Sequence, residues 1–225
     1  MRKQMIENAA FEVATQVKVV ENTIDAALDL RRRAVEAGRA PEDIKFFQGL
    51  SFVIGDTEHQ ARRKLAEYEE YASVEGYLAH AALVDPDGRV YPPETPLKDL
   101  ETNTQKGFSE WTSQAITDRE PVVADVAWRS HRNNRLVGTP EQIADQLQEW
   151  QDAGVDGINV INWVIPGSFE EFADKVLPVL RERSLAQTEY APGTLRQKLF
   201  GRDRLPQTHP AARYRGAFAA VPTGA

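Results

Sequence analysis

The sequence predicts an α/β protein whose parallel strands are joined by helical crossovers. Three units in the order strand, turn, helix carry that prediction. Two features support it: helix starts marked by capping residues, and glycines placed where helices should stop.

In the first unit Ala9 to Thr15 alternates apolar and polar residues. A helix follows from about Asn22 to Ala37, with Ile24, Ala27, Leu28, Ala34 and Val35 on one face and Gly38 as its stop. In the second, Ile44 to Ile54 is a β-rich run ending at Gly55-Asp56-Thr57, and the next helix lines up Ala61, Leu65, Tyr68 and Ala72. In the third, Gly157 to Val164 is a strand, and Phe172, Val176, Val179 and Leu180 form the inward face of a helix. Pro178 lies inside that face and predicts a kink or an early end.

A further helix precedes the third strand. Thr139 caps it, Pro140 takes the first helical position and Gln142 completes a capping box. Ile143, Leu147 and Trp150 face one way, and Gly154 closes the helix. Ser168 with Glu171 repeats the capping spacing at the last helix. Two segments depart from the alternation. Val84 to Gln105 is rich in Pro, Asp and Thr and reads as a long loop, followed by short helical stretches to about Ser130. Long loops in compact domains are usually lids or binding loops. From Ala186, prolines and glycines give an extended arm, and Gly216 to Ala225 reads as disordered.

The 225 residues carry a net charge of −7, with a pI near 5.2 and no cysteine. An acidic chain is not drawn to phosphate backbones or anionic lipid, so neither nucleic acid nor membrane is an expected partner. Without cysteine there is no disulfide framework, thiolate metal site or catalytic thiol, which fits a cytoplasmic protein. The most apolar stretches, Phe46 to Ile54 and Val155 to Ile165, are far too short to span a bilayer.

His59, His80, His131 and His209 share no metal-ligand spacing. No nucleophile elbow, phosphate-binding glycine loop or dinucleotide fingerprint is present. The helix start at Gly138-Thr139 could hold a phosphate, but the capping box already uses those donors. Parallel α/β folds build their sites at the C-terminal ends of strands. Candidates therefore gather around the third strand. Asn159 and Asn162 would need a backbone or ligand partner in a strand buried on both faces, because an unpaired buried amide costs roughly 1–3 kcal/mol. Trp163 at the strand outlet could wall a flat heteroaromatic ligand or plug a core. His131, beside the long loop among Arg129, Arg132, Asn133 and Asn134, is read as a surface histidine, with a pocket role as the alternative.

Leu136-Val137-Gly138-Thr139-Pro140-Glu141-Gln142-Ile143-Ala144-Asp145, then Asp156-Gly157-Ile158-Asn159, then Pro166-Gly167-Ser168-Phe169-Glu170-Glu171-Phe172 resemble the closing portion of the luciferase-like flavin-dependent monooxygenases. The branch resembled is the one named for nitrilotriacetate monooxygenase. The segments Thr188 to Arg196 and His209 to Tyr214 resemble its C-terminal arm, and Ala37-Gly38-Arg39 and Gly49 to Thr57 follow in the same order. The resemblance implies a TIM-type (β/α)8 barrel with insertions. It also implies reduced FMN supplied by an NAD(P)H-dependent flavin reductase, and oxygenation of a small organic substrate by O2.

An eight-stranded barrel needs about 250 residues or more, so the resemblance implies only the last three β/α units. On this expectation residues 1–185 form a partial barrel, with 84–135 a lid-like insertion, 186–215 a C-terminal arm and 216–225 a disordered tail. The chain is then a C-terminal fragment with little activity alone, and another chain would carry the missing N-terminal strands. Asn159, Trp163 and His131 are the residues expected to approach the flavin or substrate pocket. The alternatives are a non-catalytic subunit or remnant that complements a partner chain, and a related flavin or deazaflavin reductase.

Overall fold

The computed structural model describes residues 24–217 except 26, 82, 102–105 and 133. The strand expected over Ala9 to Thr15 and the start of the first helix lie outside the described residues. Helix α1 (residues 27–36) runs to a turn in which Gly38 takes φ +72°. Only the alanines of its expected apolar stripe are buried. Leu28 and Val35 are 55% and 56% exposed, while Ala27 and Ala34 are buried. Arg31, on the turn between those alanines, pairs with Asp156 at 2.9 Å, so a small-residue face and an ion pair hold α1 in place.

The sheet has three parallel strands, β1 (Phe47–Ile54), β2 (Arg135–Gly138) and β3 (Gly157–Ile161), in the order β2-β1-β3. Strand β3 pairs along Phe47 to Ser51 of β1, and β2 pairs along Ser51 to Ile54. The sequence expectation omitted β2, whose four residues are too few to show a period. It also extended β3 to Val164, but the chain leaves the sheet after Ile161. Among the described residues β3 is an edge strand, and none of its residues is fully buried; Ile161 is 48% exposed.

Alternation along β1 sends Leu50, Phe52 and Ile54 to one face, where they meet Leu136 of β2 and the inner side of α6 (Pro140–Asp152). Ile143, Leu147 and Trp150 of α6 are all buried there, as their spacing predicts. Burying side chains of this size contributes roughly 1.5–3 kcal/mol each. The capping box is present in full: Gln142 N–H donates to Thr139 Oγ1 at 3.3 Å and Thr139 N–H to Gln142 Oε1 at 3.0 Å.

The last helical stretch closes the same core with Val176 and Leu180. It is split into α7 (Gly167–Glu171), a π-helical turn (Phe172–Val176) and α8 (Leu177–Glu182). Pro178 has no N–H for the ordinary helical ladder and its ring crowds the preceding turn, and the widened turn directly before it relieves both. Ser168 does not cap this helix. Its hydroxyl is buried and accepts from Trp163 N–H and Val164 N–H, at 3.1 and 2.9 Å, so the incoming chain takes the oxygen that a cap would use.

Helix α2 (Glu58–Glu70) follows β1 with Ala61 and Leu65 buried, and it stops before Ala72, the last residue of its expected stripe. Beyond it, residues 74–132 form a second cluster built from Leu78, Leu83, Leu97, Val123, Val126 and Ala127. These come from α3 (Val74–Ala81), the loop, and α5 (Val123–Arg132). The 84–130 loop thus has a core of its own, and α4 (Lys106–Ala115) packs beside α5. The C-terminal arm is less extended than expected. Thr194 and Gln197 form a second capping box on α9 (Leu195–Phe200), Arg202 pairs with Asp43, and a 3-10 turn spans Pro210–Tyr214. Of the expected tail, Gly216 and Ala217 lie in a turn, and 218–225 fall outside the described residues.

Candidate functional site

The C-terminal end of β1 is laced by ion pairs. Lys64 Nζ of α2 donates to the Ile54 carbonyl at 2.7 Å and pairs with Glu171. Lys175 pairs with Asp56 at 2.6 Å. The hydrogen bond and charge of Lys175 hold the Asp56 carboxyl below its ordinary range, and Asp56 raises Lys175 in return. Both groups are therefore charged at neutral pH and serve as a strap. At β2, the Thr139 cap fills the helix N-terminus, and a Cβ on Gly138 would stand 2.7 Å from Gln142 Oε1. The phosphate alternative for that helix start has no free cradle.

A second polar cluster lies on the other side of β2. Leu136 faces the core, so its neighbour Arg135 points away from it, and Arg135 is only 2% exposed. Both terminal nitrogens of Arg135 reach Glu69 of α2 at 3.3 Å, and Arg132 of α5 approaches the same carboxylate at 3.6 Å. The Arg135 guanidinium also stands 5.6 Å from the centre of the Trp163 ring. Tyr68 stacks with Trp163 at 6.1 Å and 17°. Burial, reinforced by the charges of Glu171 and Glu67, raises the Tyr68 hydroxyl above its ordinary value, so Tyr68 is a neutral phenol. Trp163 is thus fixed by Ser168 through its backbone and by Tyr68 and Arg135 through its ring.

Of the three candidate residues, Trp163 is half-buried in this cluster. Asn159 lies opposite Gly49 in the sheet, exposed on the edge strand. The burial that would have demanded a partner for its amide is therefore absent. His131 sits in the last turn of α5, next to Arg132, and Glu69 joins that turn to Arg135 beneath Trp163. Asn159 takes no part in the cluster. Tyr68, Glu69 and Arg135 were not candidates. Tyr68 lay in a stripe that reads as core, and an arginine ahead of Leu136-Val137-Gly138 looks like solvated surface until the sheet encloses it.

Together these residues make an aromatic and cationic wall with no free general base. Among the described residues no group of three or more His, Cys, Asp or Glu could hold a metal ion, and no helix is long and apolar enough to cross a membrane.

Residues 6–157 match the family described as luciferase-like monooxygenase. A dimethyl-sulfide monooxygenase of Hyphomicrobium sulfonivorans is 37% identical over 206 residues, 88% of this chain and 43% of that protein. The crystal structure of DmoA from the same organism superposes with a TM-score of 0.68, covering 89% of this chain and 44% of the other. A riboflavin lyase solved with modified FMN and riboflavin gives a TM-score of 0.69 at 29% identity, covering 87% and 44%. Nitrilotriacetate monooxygenase component A of Aminobacter aminovorans is 27% identical over 191 residues, 76% of this chain and 40% of that protein, so the branch expected from the sequence is one of several similar ones. This chain spans less than half the length of each of these relatives.

Proposed function

The chain belongs to the luciferase-like monooxygenase family, and from that premise we propose that it supplies the closing part of an FMN-dependent monooxygenase. The observation that carries this is the match of 88% of the chain to 43% of a monooxygenase from that family. In this reading the three parallel strands belong to a TIM-type barrel, and residues 1–185 are the partial barrel. The 84–135 segment is its insertion, 186–215 its arm and 216–225 its tail. Support comes from the parallel pairing of β1 with both β2 and β3, since barrel strands run parallel and are joined by helical crossovers.

The described residues do not make a complete FMN site. The helix start best placed for a phosphate is filled by its own cap, and the Trp163 ring is already packed by Tyr68 and Arg135. When bound, reduced FMN supplies the electrons for oxygen chemistry. This chain's share is to wall the pocket, exclude water and orient the substrate, with Trp163, Asn159 and His131 nearest to it. The remaining contacts come from the other half of the fold, carried by further chain or by a partner chain. A cytoplasmic flavin reductase would deliver the cofactor, and O2 and a small organic molecule would be the substrates.

Co-expression with a chain carrying the N-terminal half of the family fold tests this. Flavin fluorescence should report FMN binding in the assembled pair and not with this chain alone, and a reductase should then drive substrate-dependent oxygen uptake. Flavin binding in neither arrangement would leave the non-catalytic remnant. Flavin reduction without oxygen uptake would favour the reductase alternative, and full oxygenation by the single chain would overturn the proposal.

A further inference from the structure

Arg129 of α5 is a cation with no hydrogen-bonded or salt-bridged counter-ion among the described residues; Asp125 acts on it only through space. Its guanidinium carbon stands 3.9 Å from the centre of the Trp111 ring of α4, a close cation–π stack. Its Nε is sealed from solvent with no hydrogen-bond partner, and its terminal nitrogens form no hydrogen bond or ion pair with any described residue. The nearby carboxylate one helical turn earlier, Asp125, is already taken. Arg119 grips it through two nitrogens, at 2.7 and 2.5 Å, and Val122 N–H adds a third bond at 2.8 Å. Burial lowers the pKa of Arg129 against a weaker pull upward from Asp125, so its charge is poorly compensated.

The nearest carboxylates are already engaged by other arginines: Arg119 grips Asp125, and Arg132 and Arg135 share Glu69. Helix α4 also holds a buried hydroxyl, Ser109 Oγ, with no partner. Trp111 itself packs against the sheet core, which places the stack where the 74–132 cluster joins the strands.

Stacking uses the face of a guanidinium and leaves its N–H donors in the ring plane pointing outward. That fork matches the two oxygens of a carboxylate or other oxyanion, and the Trp111 plane fixes its direction before any ligand arrives. We propose that Arg129 on Trp111 is the anchor for an oxyanion on a small organic molecule. The chemistry is a bidentate guanidinium–oxyanion pair, and it can be satisfied by a substrate carboxylate or sulfonate or by the flavin phosphate. Only its assignment to a substrate rests on the monooxygenase reading.

The test is calorimetric titration of the full chain, without flavin, using benzoate, its uncharged isostere benzamide, inorganic phosphate, and FMN against riboflavin. Benzoate should bind at least about tenfold more tightly than benzamide, the minimum effect of one well-made charged pair. Arg129→Gln should abolish that preference, and Arg129→Lys, which keeps the charge and loses the fork, should retain part of it. A preference for phosphate and for FMN over riboflavin, lost in Arg129→Gln, would support the anchor and assign it to the cofactor. Equal binding of benzoate and benzamide by the unaltered chain, with no preference for phosphate or FMN, would overturn it whether or not the variants fold. So would binding of none of the oxyanions, or a folded Arg129→Gln chain that keeps its preference. Because no flavin chemistry enters the readout, failure of oxygen uptake in the assembled enzyme would count against the proposed function and leave this site standing.

Discussion

Adding one methyl group at Gly55 and the same group at Gly107 should move stability in opposite directions. A Cβ on Gly55 would stand 2.3 Å from the Ala61 nitrogen, 2.8 Å from the Thr57 carbonyl oxygen and 2.9 Å from the Ala61 Cα. All three are backbone atoms of the α2 entry, so no side chain can turn aside. Relief requires α2 to withdraw from β1 by roughly 1 Å, and three ties resist it. The Gly55 N–H bonds the Gly138 carbonyl at 3.1 Å, Lys64 holds the Ile54 carbonyl, and Thr57 caps the helix through Gln60 N–H. Overpacking costs about 1–3 kcal/mol and a disturbed cap about 1 more. Gly55→Ala should therefore cost about 3 kcal/mol. At Gly107, itself exposed on α4, a Cβ meets no described residue within 4 Å. Exchanging a helical glycine for alanine should there gain about 0.5 kcal/mol. Urea unfolding followed by tryptophan fluorescence measures both, with an unchanged m-value marking a change in stability alone. A Gly55→Ala chain within about 0.5 kcal/mol of the parent, the ordinary scatter of surface substitutions, would refute the close packing of α2 on β1.

Thr139→Ala should cost about 1 kcal/mol by removing the capping box of α6, and Thr139→Ser should recover most of it in the same assay. Leu83→Ala opens a cavity in the second cluster and should cost about 2–5 kcal/mol; hydrogen exchange should quicken across α3 and α5 before it does in β1. For Asp125, burial alone would raise the carboxyl. The Arg119 hydrogen bond, the Val122 N–H and the charges of Arg119 and Arg129 outweigh burial, so the folded value is depressed. A depressed carboxyl stabilises the folded state above its unfolded pKa of about 3.9 and loses that contribution as pH falls through the folded value. The stability gap between the parent and Asp125→Asn should therefore be constant near neutrality and close below about pH 4; a gap unchanged at acid pH would contradict the pairing.

What the sequence determined alone lies within a few residues along the chain. Thr139 with Gln142, the stops at Gly38 and Gly154, the inward face of α6 and the disruption by Pro178 are all met in the fold. Each depends on hydrogen bonds or sterics between neighbours one to four residues apart, which the order of residues fixes directly. Trp163 was legible as a residue at a strand outlet, but not its neighbours. Arg135 reaches Glu69 across 66 positions and Asp156 receives Arg31 across 125, so their pairing is invisible until the strands and helices are assembled. The same holds for the errors. Ser168 has the spacing of a cap, yet the approach of Trp163 and Val164 takes its oxygen, and Asn159 has the setting of a buried amide, yet it lies on an edge strand. Burial and charge pairing belong to the space between elements. Tertiary structure decides them because a side chain's solvation depends on what packs over it, and that is set by distant parts of the chain.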